Sequence, residues 1–160
     1  MSETNLQTTV QTSGEMLRHW LGHLALTRRT IEAFPEDGLL NHAAPGMRPF
    51  FDMALELLAF GLGMPRGVAT GEWPKYGLPD IERSKEALLA AWDEAVAGLE
   101  DTWGSITAER FDATEKAFGV FEDRGINNLR YAIDNEIHHR AQAYVYLREL
   151  GVEPPPFWQR

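Results

Sequence analysis

A chain of 160 residues has the size of one ordinary domain and can bury a core without a metal or disulfide to staple it. Cysteine is absent, which excludes disulfides, cysteine nucleophiles and thiolate metal sites, and agrees with a reducing compartment. With 24 acidic residues against 15 Lys and Arg the formal charge is −9, which repels phosphate backbones and anionic lipid; Arg28-Arg29 is the densest basic cluster.

Residues 1–13 are polar, with neither a basic start nor an apolar run, and read as a flexible N-terminal tail ahead of a single domain over 14–160. No window approaches the roughly 20 apolar residues of a membrane span. A soluble, cytoplasmic protein with no nucleic-acid or membrane partner is the expectation.

The first helix is predicted from Gly14 to Phe34, with Ser13 as N-cap and Leu17, Trp20, Leu21, Leu24, Ile31 and Phe34 at helical spacing. Pro35 and the acidic turn behind it end it, and Pro45-Gly46 marks a second turn. Met47 to Gly63 reads as the second helix, with Phe50, Met53, Ala54, Leu57 and Phe60 on one face and Asp52 and Glu56 one turn apart at its margin; Asp52 is expected to face solvent.

The stretch MPRGVATGEWPKYGLPD lacks periodicity and is long enough to cross the bundle. A third helix is predicted from about Pro79 to Trp103 on the stripe Ile81, Leu88, Trp92, Val96, Leu99 and Trp103. Thr107 to Phe121 reads as a loop holding a short extended piece. The fourth helix should run from about Arg124 to Leu150, with Ile126, Leu129, Ile133, Ile137, Tyr144 and Leu147 inward, and Gly151 with Pro154-Pro155-Pro156 stops it. The fold class is all-α, a four-helix bundle with a long crossover connection.

At about 100° per residue, Asn135, His139, Gln142 and Tyr146 fall on one line beside the apolar face of the last helix, while His138 points about 180° away from Leu129, to the outside or to a subunit contact. Donors that hold a metal in a bundle come from facing helices, and Glu56 with Asn135 and His139 meets that requirement. His19 and His23 have one-turn spacing on the first helix, and His23 lies nearer the apolar side. Trp20, Trp92 and Trp103 read as core rather than as an aromatic cage.

The run NEIHHRAQAYVYLRELGVEPPPFW, Asn135 to Trp158, resembles the final helix of the DinB/YfiT-like metalloenzyme superfamily, with its HHR-x-Q segment, YLR-x-LG and prolines. Upstream, RRTIEAFPED, APGMRPF and ATGEWP follow in the order that the superfamily shows, so the resemblance spans most of Leu17 to Trp158. It implies a homodimer and one divalent metal, held by a histidine on helix two and two histidines on the last helix. Those positions fall on Glu56, Asn135 and His139 here, with His23 as an additional candidate ligand, so one of the three usual imidazoles is present.

Zinc, nickel or manganese held by such a set would be held weakly, because an Asn amide is a poor donor beside imidazole. The activity implied is a divalent-metal-dependent transferase or hydrolase acting through water or a low-molecular-weight thiol, whose pKa the metal would lower. The alternative is a non-catalytic, stress-associated dimeric protein that binds a small-molecule ligand, with Glu56 and His139 hydrogen-bonded to each other across two helices.

Overall fold

The computed structural model describes residues 10–160, so most of the expected tail, residues 1–9, lies outside the described residues. Helix α1 (Ser13–Ala33) begins on Thr12 rather than Ser13, because Thr12 and Glu15 form a reciprocal capping box: the Thr12 hydroxyl accepts from the Glu15 N–H, and the Glu15 carboxylate accepts from the Thr12 N–H at 2.7 Å. Pro35 stops it, and the acidic turn behind becomes a short helix, α2 (Glu36–Asn41).

The second predicted helix is broken. It runs as α3 (Phe50–Glu56), widens into a π turn (Leu57–Gly61), and resumes as α4 (Met64–Thr70), with Pro65 in its first turn and Gly71 at φ 75° closing it. Helical structure therefore takes the first seven residues of the stretch read as connection. The crossover proper begins at Gly71 and ends at Ser84, whose hydroxyl caps α5 (Lys85–Ala97) by accepting from the Ala87 N–H. The third helix thus starts six residues later than its apolar stripe suggested, and it bends at Gly98 into α6 (Leu99–Gly104).

After α7 (Ala108–Asp112), strands β1 (Thr114–Ala117) and β2 (Phe121–Arg124) pair as an antiparallel hairpin, with Ala117 opposite Phe121. This is the extended piece expected between Thr107 and Phe121, though alternation was too short to define two strands. The turn needs left-handed backbone at Phe118 (φ 51°) and Gly119 (φ 73°). A bulky residue resists that conformation, and Phe118 is held in it by aromatic contacts with Phe60 and Trp73.

Helix α8 (Gly125–Glu149) then crosses the molecule, packing on α1, α3, the π turn and α4. It ends in a Schellman motif: Gly151 takes φ 75°, the Val152 N–H donates to the Leu147 carbonyl at 2.8 Å, and the Gly151 N–H to that of Arg148 at 3.0 Å. The architecture is the predicted four-helix bundle with a crossover, its four members being α1, the broken α3–α4, the bent α5–α6, and α8. Trp20, Trp92 and Trp103 are buried, as expected of core residues. Ile137 is not: it is 36% exposed on the outer side of α8, because that helix turns its buried stripe toward Leu129, Ala132, Ile133, Ala143 and Leu147. Asp52 is half-buried and accepts from Arg83 at 2.7 Å. Among the described residues no helix is long and apolar enough to cross a membrane.

Gly125 shows how closely these pieces meet. A Cβ there would lie 2.4 Å from the Arg110 carbonyl oxygen and 2.9 Å from a Val68 methyl, both shorter than packed atoms tolerate. Gly125→Ala is expected to cost about 1–3 kcal/mol through forced separation of α7 and α8, measured as a lower midpoint in urea denaturation at unchanged slope.

Candidate functional site

Glu56 ends α3 where the π turn begins, and its side chain faces α8 with 17% exposure. The structure brings Glu56, Asn135 and His139 together: His139 Nε2 is 3.2 Å from Glu56 Oε1, and the Asn135 amide donates to the same oxygen at 3.3 Å. On its other side His139 Nδ1 lies 2.8 Å from Gln142 Oε1, and the Gln142 amide nitrogen is 3.3 Å from Nε2 of the exposed His138. A polar chain thus runs from the partly buried carboxylate to the surface. Tyr146, the fourth residue on the line, donates its hydroxyl to the Arg48 carbonyl at 3.2 Å and fixes the segment before α3.

That segment supplies a residue the sequence reading missed. The Arg48 guanidinium donates to Glu56 Oε2 at 2.5 Å, while Glu56 Oε1 serves His139 and Asn135. Burial raises the Glu56 carboxyl, but hydrogen bonds from Arg48, His139 and Asn135 outweigh it, and the group is held below the usual glutamate range. No periodicity could have flagged Arg48, which precedes Pro49 in irregular chain; only its proximity in sequence to the Glu56 helix hinted at it.

This donor set does not fit a resident divalent ion. One carboxylate and one imidazole are the only strong donors, a fixed guanidinium already neutralises the carboxylate, and no group of three or more His, Asp or Glu able to hold a metal occurs among the described residues. His23 does not join them. It is buried on α1 with Nδ1 2.7 Å from Arg140 Nη2, Nε2 3.2 Å from His19 Nε2, and the Arg160 guanidinium beside it, so the suggested fourth ligand belongs to another cluster.

That second cluster was also missed. Glu136, 2% exposed, accepts from Trp20 Nε1 at 2.8 Å and from the Thr27 hydroxyl at 2.5 Å. Arg140, one turn along α8, donates to Thr27 Oγ1 at 2.9 Å, to the His23 carbonyl at 3.1 Å and to Glu136 at 3.4 Å. Burial pushes the Glu136 carboxyl up to about 7, against the lowering effect of Thr27, Arg140 and Trp20. Burial and then the Arg140 charge push the His23 imidazole down to about 4, which keeps it neutral at pH 7. The i, i+4 spacing of Glu136 and Arg140 was visible in the sequence, but such pairs usually sit on a solvated face.

The solved structures similar to this chain include two DinB-like proteins. A DinB-like protein from Bacillus cereus superposes with a TM-score of 0.71 at 16% identity, covering 92% of this chain and 99% of its own. A DinB-like protein from Bacillus subtilis, YjoA, gives the same TM-score of 0.71 at 20% identity, over 91% of this chain and 97% of its own. At such identities the likeness shows a shared fold. No curated protein matches the sequence. The family model described as DinB family matches residues 71–159, over half of the chain and including the crossover, the hairpin and all of α8. The chain therefore belongs to the DinB family.

Proposed function

We propose that this DinB-family chain is a binding protein for a small polar ligand, in which Arg48 supplies the positive charge that a metal ion would otherwise provide. The observation that carries the proposal is the complete use of the Glu56 carboxylate, Oε2 by Arg48 and Oε1 by His139 and Asn135. A carboxylate so satisfied gives a preorganised site whose remaining capacity lies in Arg48, 43% exposed, and in the His138–Gln142 edge. The exposed Tyr76, stacked on Phe60 of the π turn, offers an aromatic surface beside it.

A second reading, a divalent-metal-dependent transferase or hydrolase working through water or a low-molecular-weight thiol, has one observation in its favour. Gln142 Oε1, 2.8 Å from His139 Nδ1, holds the ring with Nε2 directed at Glu56, the kind of outer hydrogen bond that orients a metal-bound histidine. Elemental mass spectrometry of untagged protein, after incubation with zinc, nickel and manganese and gel filtration, separates the two. The expected result is less than about one-tenth equivalent of metal, unchanged in Glu56→Ala and His139→Ala. Near-stoichiometric metal that is lost in both variants would overturn the binding-protein proposal.

A further inference from the structure

We propose that the outer side of α8 carries a second binding site, a groove for a small organic anion with an apolar body, of which an arylcarboxylate is the simplest case. The groove has a volume of about 300 Å³ and is lined by Ile137, Arg140, Ala141, Tyr144, Arg148 and Phe157. Five of the six come from α8 at helical spacing, and they lie on the side of the helix away from Asn135, His139, Gln142 and Tyr146. The site is therefore independent of the Glu56 cluster.

Three polar groups mark it as more than an apolar crease. The Tyr144 hydroxyl is sealed from solvent and has no hydrogen-bond partner among the described residues, an uncommon state for a buried polar group. Arg140 is 5% exposed; its Nη1 and Nη2 serve the inner network, while Nε makes none of those bonds. Arg148 is exposed and pairs with no carboxylate among the described residues, in a chain whose net charge is −9. Guanidinium groups only donate, and the tyrosine hydroxyl is free to donate, so the complementary ligand group is an acceptor-rich anion.

The walls select the rest of the ligand. Ile137, Ala141 and Phe157 present carbon to the groove, which suits an aromatic or branched aliphatic body. Phe157, 66% exposed, is the part of the wall we assign to move aside so that a carboxylate between Arg140 and Arg148 reaches the Tyr144 hydroxyl. A second copy of the chain fits less well. A two-fold contact across this groove would set each Arg148 against the other, and like charges at a symmetric interface oppose association.

The test is titration of the isotope-labelled full-length chain with sodium benzoate at pH 7, followed by amide chemical shifts. Saturable shifts are expected at residues 137–148 and 157, with a Kd on the order of 1 mM for so small a ligand. Benzamide, nearly isosteric and neutral, should bind at least about fivefold more weakly, Arg148→Gln should weaken benzoate about tenfold, and Tyr144→Phe about fivefold with an otherwise native spectrum. Arg66→Gln, on the exposed side of α4 and in neither site, should leave the benzoate affinity unchanged. Equal binding of benzamide, full affinity in Arg148→Gln, shifts confined to the surroundings of Arg48 and Glu56, or a dimer in sedimentation that buries the groove and leaves benzoate unbound would each overturn the proposal.

Discussion

Glu136→Ala is expected to destabilise the protein by about 3–5 kcal/mol, a large part of the stability of a domain this size, and is measured by urea denaturation. The reason is what remains. Arg140 would stay in the interior with the His23 carbonyl, His23 Nδ1 and Thr27 Oγ1 as its only partners among the described residues, and Trp20 Nε1 would lose its acceptor. An arginine cannot escape by giving up its proton. Arg140→Met should cost less below pH 7, because the carboxylate left behind can take a proton, a step burial already favours at a pH of about 7. The double variant Glu136→Leu with Arg140→Met should recover at least half of the loss, since removing both charges leaves neither uncompensated.

The same pair predicts a pH dependence. The folded Glu136 carboxyl is raised from 4.5 to about 7, so the native state holds a proton that the unfolded chain releases, and the associated stability is full below about 4.5 and lost as pH rises through about 7. His23 works in the opposite sense: its imidazole is lowered from 6.5 to about 4, so its contribution is present above 6.5 and lost as pH falls through about 4. Between these limits the two slopes oppose each other in the wild type. Glu136→Gln removes one of them, and its stability deficit should shrink by up to about 3 kcal/mol between pH 4.5 and pH 8. A deficit that stays constant over that range would show that Glu136 does not titrate there.

Arg48→Ala is expected to raise zinc affinity by at least about tenfold, read by titration calorimetry at pH 7.5. A divalent ion bound by Glu56 would sit beside the Arg48 guanidinium, and at about 4 Å and an effective dielectric near 20 each unit of ionic charge is opposed by about 4 kcal/mol. Much of that is lost to solvent screening, since Arg48 is 43% exposed, but a residue of about 1.4 kcal/mol is enough for tenfold. Arg48→Ala also removes the positive charge offered to a ligand, so the variant gains metal affinity while losing the proposed ligand site. Zinc affinity unchanged in the variant would show that Arg48 is not what opposes the ion.

The legible parts of this fold were those in which one helix records its own environment. The length of α8, its glycine stop and the alignment of Asn135, His139, Gln142 and Tyr146 follow from helical periodicity and reappear in the structure. The break in the second helix was illegible because Leu57–Gly61 reads as continuous apolar helix, and the π turn depends on how that segment packs on α8. The hairpin was illegible for a related reason: four-residue strands carry too little alternation, and aromatic contacts from Phe60 and Trp73 hold its strained turn.

The sequence by itself determined the class of fold, the DinB resemblance later matched by the family model, and the spacing that carries Glu56 and His139 to facing helices. Tertiary structure decided the charges around them. Whether a Glu at a helix margin meets a metal, an arginine or water depends on which loop reaches it, and the partner here is Arg48, from irregular chain with no period to read. Likewise Glu136 and Arg140 look like a surface pair until α1 covers them with Trp20, His23 and Thr27. Periodicity describes a helix's faces, but burial and pairing are properties of two surfaces in contact, and only one of them is written in any single segment.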